Sequence, residues 1–112
     1  MSSIPTNFVN YKSTTPVFNR DTVPKMLVHE HNTREGVYGK ISVVAGALKF
    51  YGFTQRRGGV EQEVVIEANN SLISPPQYWH KVELLSPETQ FQVHFYADVD
   101  SDIVKQQLNE RS

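Results

Sequence analysis

Residues 28–53, VHEHNTREGVYGKISVVAGALKFYGF, decide the fold. Their second half consists of two short runs, Lys40 to Val44 and Ala47 to Phe53, rich in Val, Ile, Phe and Tyr and broken at Ala45-Gly46. Runs this short with β-branched and aromatic residues read as strands, and glycine supplies the positive φ that a hairpin turn between them demands. In the first half His29 and His31 stand two residues apart. Side chains alternate faces along a strand, so a strand over Lys25 to His31 would aim both imidazoles at one side of a sheet.

The same rhythm continues on either side. Candidate strands recur about every ten residues, at Val17 to Phe18, Glu63 to Glu67, Ser71 to Ile73, Trp79 to Leu85 and Phe91 to Ala97, with Gly, Pro, Asn or Ser between them. That spacing indicates a mostly β sandwich or barrel. Arg56-Arg57-Gly58-Gly59 reads as an exposed, mobile loop. The one helical signal runs from Asp102 to Asn109, capped by Ser101 or Asp100, with Val104 and Leu108 on one face as an edge cover or lid. Residues 1–15 read as an N-terminal arm adding at most an edge strand, which leaves 16–112 as the domain.

Composition narrows the chemistry. A chain of 112 residues fits one domain and should bury roughly two-thirds of its extended surface. With no cysteine, thiolate metal sites, redox pairs and cysteine nucleophiles are excluded, and any metal must use nitrogen and oxygen ligands. A net charge of −1 favours neither nucleic acid nor membrane as a partner. No window approaches the ~20 apolar residues of a membrane span and no leader pattern is visible, so a soluble cytoplasmic protein is expected. Neither a G-x-S-x-G elbow, a P-loop nor a Rossmann glycine pattern occurs, so hydrolase, NTPase and dehydrogenase readings lack local support.

The candidate site joins two distant segments. Pro75-Pro76-Gln77-Tyr78-Trp79-His80 has the form of a turn delivering a strand, and alternation there places His80 with Val82 and Leu84 on the inward face. A buried imidazole needs a hydrogen-bond partner or a metal to offset its desolvation. Alternation puts His94 on the opposite face from Phe91, Val93 and Phe95.

The motif HxHxxxE (His29, His31, Glu35) followed by Pro75, Pro76 and His80 resembles the two motifs of the cupin superfamily. More closely, HNTREGVYGKISVVAGALKFYGF with PPQYWHKVE is similar to the domain of YeaR-like proteins and of the N-terminus of some TehB tellurite-resistance proteins. The positions that match are His31-Asn32-Thr33, Gly36, Tyr38, Gly39, Lys40, Gly46, Pro76, Trp79, His80 and Glu83. His29 and Glu35 match the general cupin form, whereas Gln77-Tyr78-Trp79 fills the place of the second-motif glycine.

The resemblance implies a single-domain, cupin-like double-stranded β-helix (jelly-roll) barrel with a short C-terminal helix. It further implies a divalent metal, Zn, Fe, Mn or Ni, with His29, His31, Glu35 and His80 as the candidate ligands: His31 and His80 joined by His29 or by a carboxylate from Glu35 or Glu83. The substrate-pocket candidates are Tyr38, Lys40, Tyr51, Glu83 and His94. A small-molecule or oxyanion ligand, an association with tellurite or related oxyanion stress, and a homodimer are the implied partners and role. Some relatives continue into a methyltransferase domain, so methylation by that route is not expected of these residues. The alternative is a metal-free, non-catalytic module that binds a small ligand or a protein.

Overall fold

The computed structural model describes residues 4–12 and 15–111, with the backbone alone described for residue 12 and residues 107–111. Along the chain come β1 (Phe8–Lys12), a 3₁₀ turn (Lys25–Val28), β2 (Tyr38–Ala45), β3 (Ala47–Phe53), β4 (Val60–Glu67), β5 (Ser71–Ser74), β6 (His80–Leu84), β7 (Gln90–Asp98) and α1 (Asp102–Arg111). The strands form two antiparallel sheets, one in the order β1-β7-β2-β5 and the other in the order β4-β3-β6. The protein is therefore mostly β, with one short helix.

Alternation explains the core. Ile41 and Val43 of β2, Leu72 of β5 and Phe91 and Val93 of β7 face Leu48 and Phe50 of β3, Ile66 of β4 and Val82 of β6. Leu48 and Phe50 are wholly inaccessible. The intervening residues point outward. Lys40 lies opposite both Ile73 and His94, and Tyr51 lies opposite both Glu63 and Lys81.

Three local expectations are corrected. Ala45-Gly46 is no hairpin, because β2 pairs with β5 and β7 while β3 pairs with β4 and β6. Gly46, at φ 70°, instead turns the chain from one sheet into the other. The buried Thr89 locks that corner. Its hydroxyl accepts from the Ala47 N–H at 3.2 Å and donates to the Ala47 carbonyl at 2.9 Å. A Cβ at position 46 would lie 2.8 Å from the Thr89 Cα. Gly46→Ala combines positive-φ strain with a backbone overlap, and is expected to cost about 2 kcal/mol or more in urea unfolding. A loss below about 0.5 kcal/mol would contradict this account of the corner.

Secondly, Lys25–Val28 is a 3₁₀ turn rather than a strand. Pro24 precedes it at φ −61°, and its carbonyl accepts from the Leu27 N–H at 3.0 Å. Lys, Met and Leu favour helical turns over strands, and so short a run has no sheet face to override that preference. Thirdly, Phe18 makes only an isolated bridge, to Phe91.

The edges are simpler. β1 is the outer strand beside β7, and α1 packs on both, burying Val104. The side chain of Leu108, expected on the same helix face, lies outside the described residues. Arg56 and Arg57 are exposed in the β3–β4 hairpin, where the Arg57 N–H donates to a Glu30 carboxylate oxygen at 2.8 Å. No described helix is long and apolar enough to cross a membrane.

Candidate functional site

His31 and His80 are brought together by the backbone. The His31 N–H donates to the His80 carbonyl at 2.9 Å, and the His80 N–H donates to the His31 carbonyl at 2.8 Å. Two residues directly opposite in an antiparallel pair put their side chains on the same face. The ring centroids accordingly lie 4.2 Å apart with the planes tilted by 59°. A loop supports each partner. The Thr33 hydroxyl donates to the Val37 carbonyl at 2.7 Å, while the Gln77 N–H donates to the Thr33 carbonyl at 3.1 Å, tying the segment after His31 to the Pro-Pro turn before His80.

Both imidazoles are held in one tautomer. His31 Nδ1 lies 3.0 Å from the His29 carbonyl, and His80 Nδ1 lies 2.7 Å from the Tyr78 carbonyl. A carbonyl only accepts, so each Nδ1 carries the proton and each Nε2 keeps its lone pair. Ser74, itself buried, brings its hydroxyl within 3.3 Å of the same His80 nitrogen. Phe50 stacks on the His80 ring at 5.2 Å and 21°.

The surroundings keep both rings neutral. Burial pushes the His80 imidazolium down to about 4, aided by the neighbouring His31 and opposed by the bond to Tyr78. Burial also lowers His31, against its bonds to the carbonyls of His29 and Met26. At neutral pH the pair therefore offers two unprotonated nitrogen lone pairs.

They open into a cavity of about 220 Å³ between the sheets. Its apolar wall includes Leu27, Val37, Ile41, Val82, Phe91 and Val93; its polar lining adds Tyr11, Asn32, Thr33, Arg34 and Ser74 to the two histidines. Such a cavity suits a small ligand or a coordinated ion with few polar contacts.

The other sequence candidates stand elsewhere. His29 follows the 3₁₀ turn and is exposed, so the expected strand that would have paired its ring with His31 is absent. Glu35 is exposed in the turn before Gly36. Among the described residues no group of three His, Cys, Asp or Glu is placed to hold a metal. Tyr38, Lys40, Tyr51, Glu83 and His94 do not line the cavity. Tyr38 packs edge-on against Phe8 at 5.2 Å, and Lys40 faces His94, whose pKa is lowered by burial and then by the Lys40 charge. On the outside of the other sheet the Tyr51 hydroxyl donates to Glu83 at 2.6 Å and Lys49 pairs with Glu63 at 2.9 Å.

Tyr11, Met26 and Ser74 of the cavity were not singled out by sequence reasoning. For Ser74 a signal existed, a hydroxyl at an inward strand position; Tyr11 and Met26 reach the cavity from a segment whose path no periodicity reveals.

Fold and site together define a small two-sheet β protein with a paired-imidazole cavity. Residues 13–93 match the TehB-like domain model, and the chain belongs to the TehB-like domain family. YeaR of Escherichia coli K12 is 34% identical over 101 residues, which are 87% of this chain and 84% of YeaR. The probable S-adenosyl-L-methionine-dependent methyltransferase TehB of Haemophilus influenzae is 35% identical over 82 residues, 73% of this chain but only 29% of TehB. Among solved structures, an Escherichia coli K12 protein superposes with a TM-score of 0.81 at 31% identity, covering 87% of this chain and 97% of that one. Haemophilus influenzae TehB superposes with a TM-score of 0.82 at 33% identity, covering 93% of this chain and 36% of that one.

Proposed function

We propose that this chain is a cupin-like metal-binding domain, its two sheets forming a jelly-roll barrel, in which Nε2 of His31 and of His80 hold a transition-metal ion. The supporting observation is the fixed tautomer of both rings. An imidazole that ligates a metal through one nitrogen commonly donates from the other to a carbonyl, which fixes ring orientation and raises basicity; both histidines have that arrangement. The cavity leaves room beside the ion for water or a small molecule, so Lewis-acid or redox chemistry is the class of activity such a site would supply.

The same tautomer argues against direct capture of an oxyanion by the histidines. Two neutral rings that present lone pairs repel an anion, whereas a metal would invert that preference. A role in tellurite or related oxyanion stress, which the family implies, therefore reads as metal-mediated. A cytoplasmic location and a homodimer complete the proposal.

Purified protein reconstituted with Zn, Fe, Mn or Ni should retain one equivalent after desalting. His31→Gln and His80→Gln should each abolish retention while the far-ultraviolet circular dichroism remains that of a β protein. Retention unchanged in both variants, or no retention by the unaltered chain, overturns the reading and favours a metal-free ligand module.

A further inference from the structure

A glycine holds an inward place in the cavity wall. Val37, Gly39 and Ile41 line the cavity two residues apart, and Gly39 lies opposite Ser74 of β5 and Phe95 of β7, which line it too. A Cβ at position 39 would meet the Thr33 methyl at 3.6 Å and Val93 at 3.9 Å, both ordinary contacts. Gly39 has no positive φ, so neither the backbone nor a steric overlap calls for glycine there. Glycine inside a strand weakens it and often marks close approach by a ligand or another backbone. Among the described residues no other backbone lies within 4 Å of that Cβ position, which leaves the space to a ligand.

The mouth of this cavity carries charge of one sign. Asn32 and Arg34 are exposed residues of the lining and so stand at its opening. Arg34 is the one formally charged side chain among the described lining residues, and no described carboxylate pairs with it. Burial raises the Tyr11 phenol above its ordinary range and the Arg34 charge opposes this, so the field of the guanidinium reaches the Tyr11 hydroxyl. A neutral phenol and a guanidinium both donate hydrogen bonds, whereas the lone pairs of His31 and His80 accept and repel an anion.

We propose, beyond the metal-binding reading and independently of it, that the cavity takes a small carboxylic acid as its anion, with the carboxylate on Arg34 and Tyr11 at the mouth and an apolar body beside Gly39 between the sheets. An arginine–carboxylate contact at the rim supplies charge and orientation, and the apolar wall supplies the burial. The volume sets the length. At the ~30 Å³ liquid share of one water, about 220 Å³ holds the equivalent of about seven small groups, which suits a body of about five or six carbons.

The test is calorimetric titration of the full chain, kept metal-free with a chelator so that no carboxylate–metal bond contributes, with acetate, hexanoate, decanoate and hexan-1-ol. Burial of each methylene strengthens binding by about fourfold, so hexanoate should bind at least about fiftyfold more tightly than acetate, and decanoate no more tightly than hexanoate. Arg34→Gln should weaken hexanoate by about tenfold and leave hexan-1-ol unchanged. Gly39→Val, whose side chain enters the cavity and suits a strand, should weaken hexanoate and hexan-1-ol alike by at least about tenfold without lowering the thermal midpoint. Three results overturn the proposal: no heat of binding with hexanoate, an affinity that keeps rising to decanoate, or R34Q protein that binds hexanoate as the unaltered chain does. A folded G39V protein with unaltered hexanoate affinity overturns it as well. Metal retention by His31 and His80 is measured separately, so either reading can fail while the other stands.

Discussion

Phe50→Ala is expected to lower the unfolding free energy by about 3–5 kcal/mol, a large part of the roughly 5–15 kcal/mol that stabilises a domain of this kind. Phe50 lies in the middle of β3, wholly inaccessible, and belongs to the cluster that joins the two sheets. Truncation removes its transfer free energy and leaves a void that flanking strands, each fixed by a ladder on both sides of β3, cannot close. The effect should also reach the site. The ring stacks on His80 at 5.2 Å and on Tyr78 at 6.3 Å, so its loss frees the imidazole face and the residue whose carbonyl fixes the His80 tautomer. Phe50→Leu should recover most of the stability, because an apolar group still fills the volume. Urea unfolding of the three proteins checks this. A midpoint for Phe50→Ala within about 1 kcal/mol of the unaltered chain would show that the core is not organised around this ring.

Position 50 also shows how much could be read in advance. Alternation in Ala47 to Phe53 and in Phe91 to Ala97 places Phe50, Phe91 and Val93 inward, because the pleat has a period of two and each of these strands has one face to bury. The convergence of His31 and His80 was legible for a related reason: each ends or begins a segment bounded by turn residues, and the family pattern places both in its motifs. The failure at Lys25–Val28 has the opposite cause. Four residues after a proline contain too little periodicity to separate a strand from a 3₁₀ turn, and the H-x-H spacing took a strand for granted. The outward placement of Lys40, Tyr51, Glu83 and His94 follows from the same alternation that buries their neighbours, so a consistent use of the pleat would have excluded them from an interior pocket. The corner at Gly46 was beyond sequence reasoning, since a glycine at positive φ serves a hairpin and a crossover between sheets equally well.

The second large effect is a loss of stability on acidification that belongs to one side chain. In the folded protein His80 is 4% exposed and its pKa is held at about 4, chiefly by burial, whereas an unfolded histidine titrates at about 6.5. Between those values the unfolded chain binds more protons than the folded one, so stability rises with pH there. The stabilisation of the neutral, buried ring is complete above about pH 6.5 and is lost as the pH falls toward 4, a total of about 3 kcal/mol at 1.36 kcal/mol per pKa unit. His31, lowered by the same cause, adds in the same direction. Carboxylates also titrate near the lower end of this window, so the measurement must be a difference. Urea midpoints of metal-free protein and of His80→Gln, taken at half-unit steps from pH 4 to 8, should diverge most at pH 7 and above and converge toward pH 4. Parallel curves across that range would mean that His80 gains its proton in the folded state as readily as in the unfolded one. The cavity would then exert no preference for the neutral ring, and the electrostatic argument for a metal in it would lose its footing.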